Sequence, residues 1–266
     1  MVEVILLAAG RGRRLGAIGR CVPKVLLPLG QKRLIDYTLD ALEGVGCIDL
    51  TVVLGHEATK VINHLLNRKG AFNYRIIINN RYRETNNLYS VYLALQSLKQ
   101  ESFILINGDV LFHPFLVEKL LPHETALLVD IQQKLGREEM KVTFQGLSLI
   151  HISKTINSEL AMGEYVGLAK FGGSAAKRFY KIVHRLLRDG GKDMFYEAAI
   201  DEMAKSVRIP IVFTDGLPWV EIDTIQDLIF AKMISPIISV ENRPLTTVYP
   251  VMRNGGQMTT CATGAR

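Results

Sequence analysis

An apolar run, Val2 to Leu7, passes straight into a glycine-rich basic loop, AAGRGRRLG, and that junction restricts the fold more than any other part of the chain. A buried strand that ends in residues without Cβ lets the backbone approach a ligand closely and aims several amides at one point, which suits a phosphate. The loop arginines and Lys24, behind Pro23, supply countercharge. The same grammar recurs downstream. Short β-rich runs at Leu50–Leu54, Tyr74–Ile78 and Phe103–Ile106 alternate with Leu34–Leu42, Ala58–Leu66 and Leu88–Leu98, whose apolar residues fall at three- and four-residue intervals. Strand and helix alternating in this way predict an α/β fold, a mostly parallel doubly wound sheet flanked by helices.

The second half changes character. Ala126–Ile131, Met140–Phe144 and Leu147–Ile152 read as short strands, the last two joined at Gln145-Gly146 as a tight hairpin. His151 sits in that alternation as an ordinary strand residue. Tyr165–Phe171 reads as a strand, Ala175–Leu187 and Phe195–Ala204 as helices, and Arg208–Phe213 and Trp219–Ile222 as extended segments before a helix from Ile225 to Met233. From Ser235 onward Pro236, Pro244, Pro250 and Asn254-Gly255-Gly256 interrupt any long element. Residues 1–234 therefore read as one domain, and 235–266 as a poorly structured tail or an arm that packs on a partner.

With 266 residues, 48% of them apolar and 22% charged, the chain has ample material for a core. Its start lacks a basic segment ahead of the apolar run, and no uncharged stretch is long enough to cross a bilayer, so a soluble, cytoplasmic protein with no membrane span is expected. Cys21, Cys47 and Cys261 are odd in number and widely spaced, which reads as reduced thiols, with Cys47 in the core. Of the net charge of +6, much is crowded early, in Arg11, Arg13, Arg14, Arg20, Lys24, Lys32 and Arg33. That stretch carries no aromatic residue before Tyr37, so it points to an anionic small molecule and away from nucleic acid.

Candidate chemistry lies at the ends of elements. Asp109 follows the Phe103–Ile106 strand through Asn107-Gly108, at the carboxyl edge where open α/β sheets bind ligands. A carboxylate there suits Mg²⁺, although a turn would also favour Asp. In Trp219-Val220-Glu221-Ile222-Asp223 the two acids share one face of an extended segment, and Asp223 is either a second metal ligand or a helix cap with Thr224. Asn86, Asn87 and Ser90 open a helix and offer amides and a hydroxyl to a nucleobase edge. Lys154, Glu164 and Tyr165, at strand edges, and Tyr196 and Glu197, on a helix, are candidates for a second substrate.

LAAGRGRRL from Leu7 to Leu15, Pro23-Lys24 with LLPLG behind it, Gly108-Asp109 and WVEID from Trp219 to Asp223 occur in an order that resembles the nucleotidyltransferases that make nucleotide-activated sugars and phospho-alcohols. NNLYS, Asn86 to Ser90, with the EID ending resembles their phosphocholine cytidylyltransferase-like branch, while ISK ending at Lys154 and GEYVG from Gly163 look like related archaeal and bacterial enzymes, including those acting on inositol phosphate. The resemblance spans about residues 1–234. It implies a Rossmann-like sheet with a β-rich lobe, CTP or another NTP as donor, Mg²⁺ as cofactor and pyrophosphate as product. By motif position, Leu7, Ala8, Ala9, Gly10 and Gly12 would hold the nucleotide, Arg14 the β and γ phosphates and Lys24 the α phosphate, with Asp109 and Asp223 on the metal. The stretch LGAIGRCVPK departs from the longer, threonine-bearing sugar-nucleotide pattern.

The chemistry agrees. A phosphomonoester is already largely anionic at neutral pH and needs no general base, so the missing nucleophile–histidine pair is expected. Alignment of two polyanions and neutralisation of the departing pyrophosphate are what remain to be supplied. A choline-type acceptor would draw on Tyr89, Tyr165, Tyr196, Trp219, Glu197 and Glu221. An inositol or sugar 1-phosphate is the alternative acceptor, and an inactive nucleotide-binding regulatory subunit the alternative of another class. A homo-oligomer is left open.

Overall fold

In the computed structural model, residues 2–132, 135–238, 249–253 and 257–261 are described, the last two segments by backbone alone. The strands are β1 (Glu3–Ala8), β2 (Pro28–Leu29), β3 (Lys32–Arg33), β4 (Asp49–Leu54), β5 (Asn73–Ile78), β6 (Phe103–Asn107), β7 (Val110–Phe112), β8 (Ala126–Asp130), β9 (Lys141–Gln145), β10 (Ser148–Ser153), β11 (Gly163–Phe171), β12 (Ile211–Phe213), β13 (Trp219–Glu221), β14 (Tyr249–Arg253) and β15 (Gln257–Cys261). The α-helices are α1 (Gly16–Cys21), α2 (Leu34–Gly44), α3 (Ala58–Asn67), α4 (Asn87–Leu95), α5 (Phe115–Leu120), α6 (Gly173–Arg188), α7 (Glu197–Ala204) and α8 (Ile225–Ile238).

β6, β1, β4 and β5 form a parallel block, and β11 adds antiparallel to β6. The β-rich lobe continues this same sheet, since β11 also pairs with β8 and β9, β9 with β10, and β8 with β12. Alternation along the strands feeds two cores. Val4, Leu6 and Ala8 of β1 join the core shared with α2, α3 and α5, while Ile5 points to the opposite face with residues of α4, α6 and α7. A third cluster gathers Leu15, Leu27, Leu29 and Leu34 against Leu111, Ile222 and α8.

Three differences from the sequence reading have local causes. The helix expected from Phe195 begins at Glu197, because Asn87 Oδ1 accepts the Tyr196 N–H, 2.8 Å away, and holds the preceding turn. α8 does not stop at Met233 but runs through Pro236 to Ile238, past the boundary expected at 234/235, with Ile234 and Ile238 buried. β7 and α5 were not read at all, being only 3 and 6 residues long. Within the expected tail, β14 and β15 pair antiparallel, and residues 239–248, 254–256 and 262–266 lie outside the described residues. Cys47 is buried and Cys21 exposed.

Candidate active site

At the carboxyl edge of the parallel block a cleft of about 670 Å³ opens between the glycine-rich loop and the β11–α7 region. The loop begins where β1 ends, and Gly12 takes φ +57°, a left-handed conformation that glycine adopts without strain. Gly108 explains how β6 delivers its aspartate here. Its N–H donates to the Leu7 carbonyl at 2.9 Å, and a Cβ at this position would lie 2.5 Å from that oxygen. Only glycine permits so close an approach, and Asp109 follows directly.

Asp223 arrives from the other end of the chain. β13 pairs antiparallel with β7, Glu221 opposite Val110, and the Ile222 N–H donates to the Asp109 carbonyl at 2.9 Å. Asp223 does not cap α8. Asp227 Oδ2 accepts the N–H groups of Asp223 and Thr224, at 2.9 and 2.7 Å, so the Asp223 carboxylate is free to face the cleft. Lys24 Nζ sits between the two aspartates, 2.8 Å from Asp109 Oδ2 and 2.5 Å from Asp223 Oδ1, and Arg14 also donates to Asp223.

Glu221, assigned from the sequence to the acceptor, belongs with these carboxylates. One oxygen each of Asp109, Glu221 and Asp223 lies within 4.8 Å of the others. Burial, then Asp109 and Asp223, pushes the Glu221 carboxyl well above its ordinary range. Asp223 is held low, burial being outweighed by Lys24 and Arg14. Asp109 and Asp223, with Glu221 beside them, offer hard oxygen donors of the kind Mg²⁺ takes together with phosphate oxygens and water. Lys24 is pushed up: burial opposes its charge, but Asp109, Asp223 and Glu221 overcome that, so it stays protonated.

Most of the sequence candidates meet at this cleft. Leu7, Ala9, Gly10, Gly12, Arg14, Lys24, Asn86, Asn87, Ser90, Asp109, Lys154, Tyr165, Glu197, Glu221 and Asp223 line it. Ala8 does not, because its side chain packs in the core between β1 and β4. Tyr196 lies beneath the floor, its hydroxyl donating to Asn107 Oδ1 at 3.1 Å and lying 2.9 Å from that of Tyr165. Glu164 is 6% exposed, off the lining, and burial, with Glu139 and Asp130 adding to it, raises its carboxyl to about 8. Trp219 is buried, donating Nε1–H to Asp130 at 2.5 Å, and Tyr89 stacks under Arg81, so neither supplies a cleft aromatic.

The paired asparagines have structural duties as well. Asn86 accepts the Asn87 N–H and caps α4, and Asn87 ties α4 to the start of α7. Ser90 accepts from Asn79 Nδ2 at 3.1 Å. Sequence reasoning missed Asn79, Tyr82, Thr85, Asn107, Met140 and Phe195 as lining residues. The polar run NNRYRET between β5 and α4 was the available signal for three of them.

The family described as a MobA-like NTP transferase domain matches residues 4–202. A CMP-5'-(3-aminopropyl)phosphonate synthase of Streptomyces rubellomurinus is 36% identical over 119 residues, 45% of this chain and only 19% of that protein. A CTP:phosphoglutamine cytidylyltransferase of Campylobacter jejuni is 28% identical over 258 residues, covering 85% of this chain and 98% of that one. Among solved structures, CTP:phosphocholine cytidylyltransferase from Streptococcus pneumoniae superposes with a TM-score of 0.72 at 20% identity, over 88% of this chain and 99% of that one, a likeness of fold.

Proposed function

The chain belongs to the family of MobA-like NTP transferase domains, and on that footing we propose that it transfers CMP from CTP to a small phosphomonoester such as phosphocholine, releasing pyrophosphate. The observation that carries this reading is Lys24 held between Asp109 and Asp223 beside the glycine-rich loop. Residues 1–234 would form the transferase domain. The loop amides from Leu7 to Gly12 and the guanidinium of Arg14 would receive the triphosphate. Lys24, kept protonated by its carboxylate partners, cannot serve as a base. Its role is to place a fixed positive charge where charge accumulates as pyrophosphate leaves. Asp109 and Asp223, with Glu221 behind them, would hold Mg²⁺, which when bound neutralises the triphosphate.

Asn86, Asn87 and Ser90, with Asn79, would frame the base. Lys154, Tyr165 and Glu197 would line the acceptor's place, and the acceptor phosphate, already anionic, attacks without proton removal. The intact set of Arg14, Lys24, Asp109 and Asp223 weighs against a regulatory subunit that only binds nucleotide. Among the described residues no helix is long and apolar enough to cross a membrane.

The test is a grid: CTP, UTP, TTP, ATP and GTP, each against phosphocholine, inositol 1-phosphate, aminoethylphosphonate and glucose 1-phosphate, with pyrophosphate recorded. CTP with phosphocholine is expected to react fastest and to stop on chelation of Mg²⁺. Silence across the grid refutes nucleotidyl transfer, and a maximum at glucose or inositol 1-phosphate replaces the acceptor.

A further inference from the structure

Among the described residues, three buried polar side-chain atoms have no hydrogen-bond partner: His56 Nε2, Glu139 Oε2 and Glu197 Oε2. Of these residues Glu197 also lines the cleft. It is 4% exposed, in the first turn of α7, so solvent does not satisfy the orphaned oxygen. The groups that face it come from four elements. Asn87 of α4 donates to its carboxyl, Lys154 after β10 and Asp109 after β6 act through charge, and Tyr165 of β11 lies beside it. The Tyr165 and Tyr196 hydroxyls are spent on each other and on Asn107.

Lys154 is not committed to Glu197. Its Nζ lies 5.1 Å from the centre of the Phe195 ring, and it is shared electrostatically with Glu164. Lys141, the other cation near Glu164, donates to the Gly136 and Glu139 carbonyls. This end of the cleft therefore holds more carboxyl groups than cations can satisfy. Burial pushes the Glu197 carboxyl up to about 7, against the opposing pull of its own backbone N–H, Lys154 and Asn87, and Asp109 adds to the rise. An added positive charge would be favoured there, and an added hydroxyl would gain only an ordinary hydrogen bond.

We propose that Glu197 sorts acceptors by charge: near neutral pH part of the molecules keep its carboxyl protonated, and when a phosphomonoester bearing an ammonium group docks against the orphaned Oε2 that proton is released to solvent. The acid O–H breaks, the proton leaves to buffer, and the carboxylate pairs with the ammonium, whose own bonds are unchanged. A polyol phosphate leaves the acid intact, donating its O–H to a hydroxyl, with no proton released. The inference rests on the nucleotidyl-transfer reading and adds to it a proton-linked choice of acceptor.

Titration calorimetry in two buffers of different ionisation heat, at about pH 7, with Mg²⁺ and an unreactive CTP analogue, reads the proton directly. Phosphocholine is expected to release a fraction of a proton from the wild-type protein, and inositol 1-phosphate less. The ammonium lowers the second pKa of phosphocholine, so its phosphate sheds less of a proton on binding than that of inositol 1-phosphate and cannot account for a larger release. Glu197→Gln is expected to abolish the release and to raise KM for phosphocholine about tenfold while kcat changes less than about threefold. Phosphocholine binding to wild type without proton release overturns the proposal, as does equal release from Glu197→Gln. The wild-type comparison stands even if the variant fails to fold. In either case continued pyrophosphate formation leaves nucleotidyl transfer standing, whereas no pyrophosphate with any acceptor removes both readings.

Discussion

The two ends of the cleft solve opposite electrostatic problems. On the glycine-rich side, Lys24 and Asp223 are held charged and paired, and the cluster is partly solvated: the side chains of Arg14, Asp109 and Asp223 are 48%, 27% and 20% exposed. On the β11–α7 side, Glu164, Tyr196 and Glu197 are almost wholly buried, and the two carboxyls are raised to about 8 and about 7. A cluster that is already paired can exchange partners at smaller cost, since an incoming polyanion takes the place of carboxylates on Arg14 and Lys24. A buried neutral acid gives up its proton near neutral pH far more readily when a counterion arrives with the ligand. The first arrangement suits a highly charged ligand of fixed kind, the second suits discrimination.

The largest effect that would break this comparison is on turnover. Lys24→Met is expected to lower kcat/KM by about a hundredfold, roughly 2.7 kcal/mol of transition-state stabilisation. Steady-state pyrophosphate release measures it, and wild-type rates would show that the ionised end is only structural. Next comes stability against pH. Glu164 holds its proton in the folded state up to about 8, against an ordinary 4.5. Its contribution is therefore complete below the ordinary value and is lost as pH rises through about 8. Glu164→Gln is expected to flatten the fall in Tm between these limits. Parallel Tm curves for the two proteins would mean that burial does not hold that proton. Smallest is Glu138→Ala. Glu138 pairs with Arg14 at 3.3 Å, but its side chain is 76% exposed. Chemical denaturation is expected to move by less than about 0.5 kcal/mol, and a larger loss would make the loop carrying Glu138 part of the ionised end.

Much of this was legible in the residues. β1, β4, β5 and β6 lie within a residue or so of the runs read from apolar content: β1, β4 and β6, buried on both faces, are written as near-continuous hydrophobic runs, and the half-buried edge strand β5 still carries three isoleucines in a row. α2 and α3 follow equally from their three- and four-residue spacing. The loop residues, Asp109 and Asp223 were visible as polar or small residues placed where apolar runs end. The roles of the acids were harder to read. Glu221 and Asp223 share one strand face, yet nothing local says that Glu221 joins the aspartates, or that Tyr196 and Glu164 sit behind the cleft wall.

What the sequence determined by itself is the order of elements and the composition of the phosphate-facing loop, since both rest on period, chain flexibility and charge within a few residues. That residues 109 and 223 meet is implied in the sequence only through the family resemblance; the physical cause lies in the tertiary structure. That meeting depends on β7 and β13, three residues each, whose pairing is too short to leave a periodic signal. The tertiary structure also decided which carboxyls are charged, because ionisation is governed by burial and by neighbours distant in the chain.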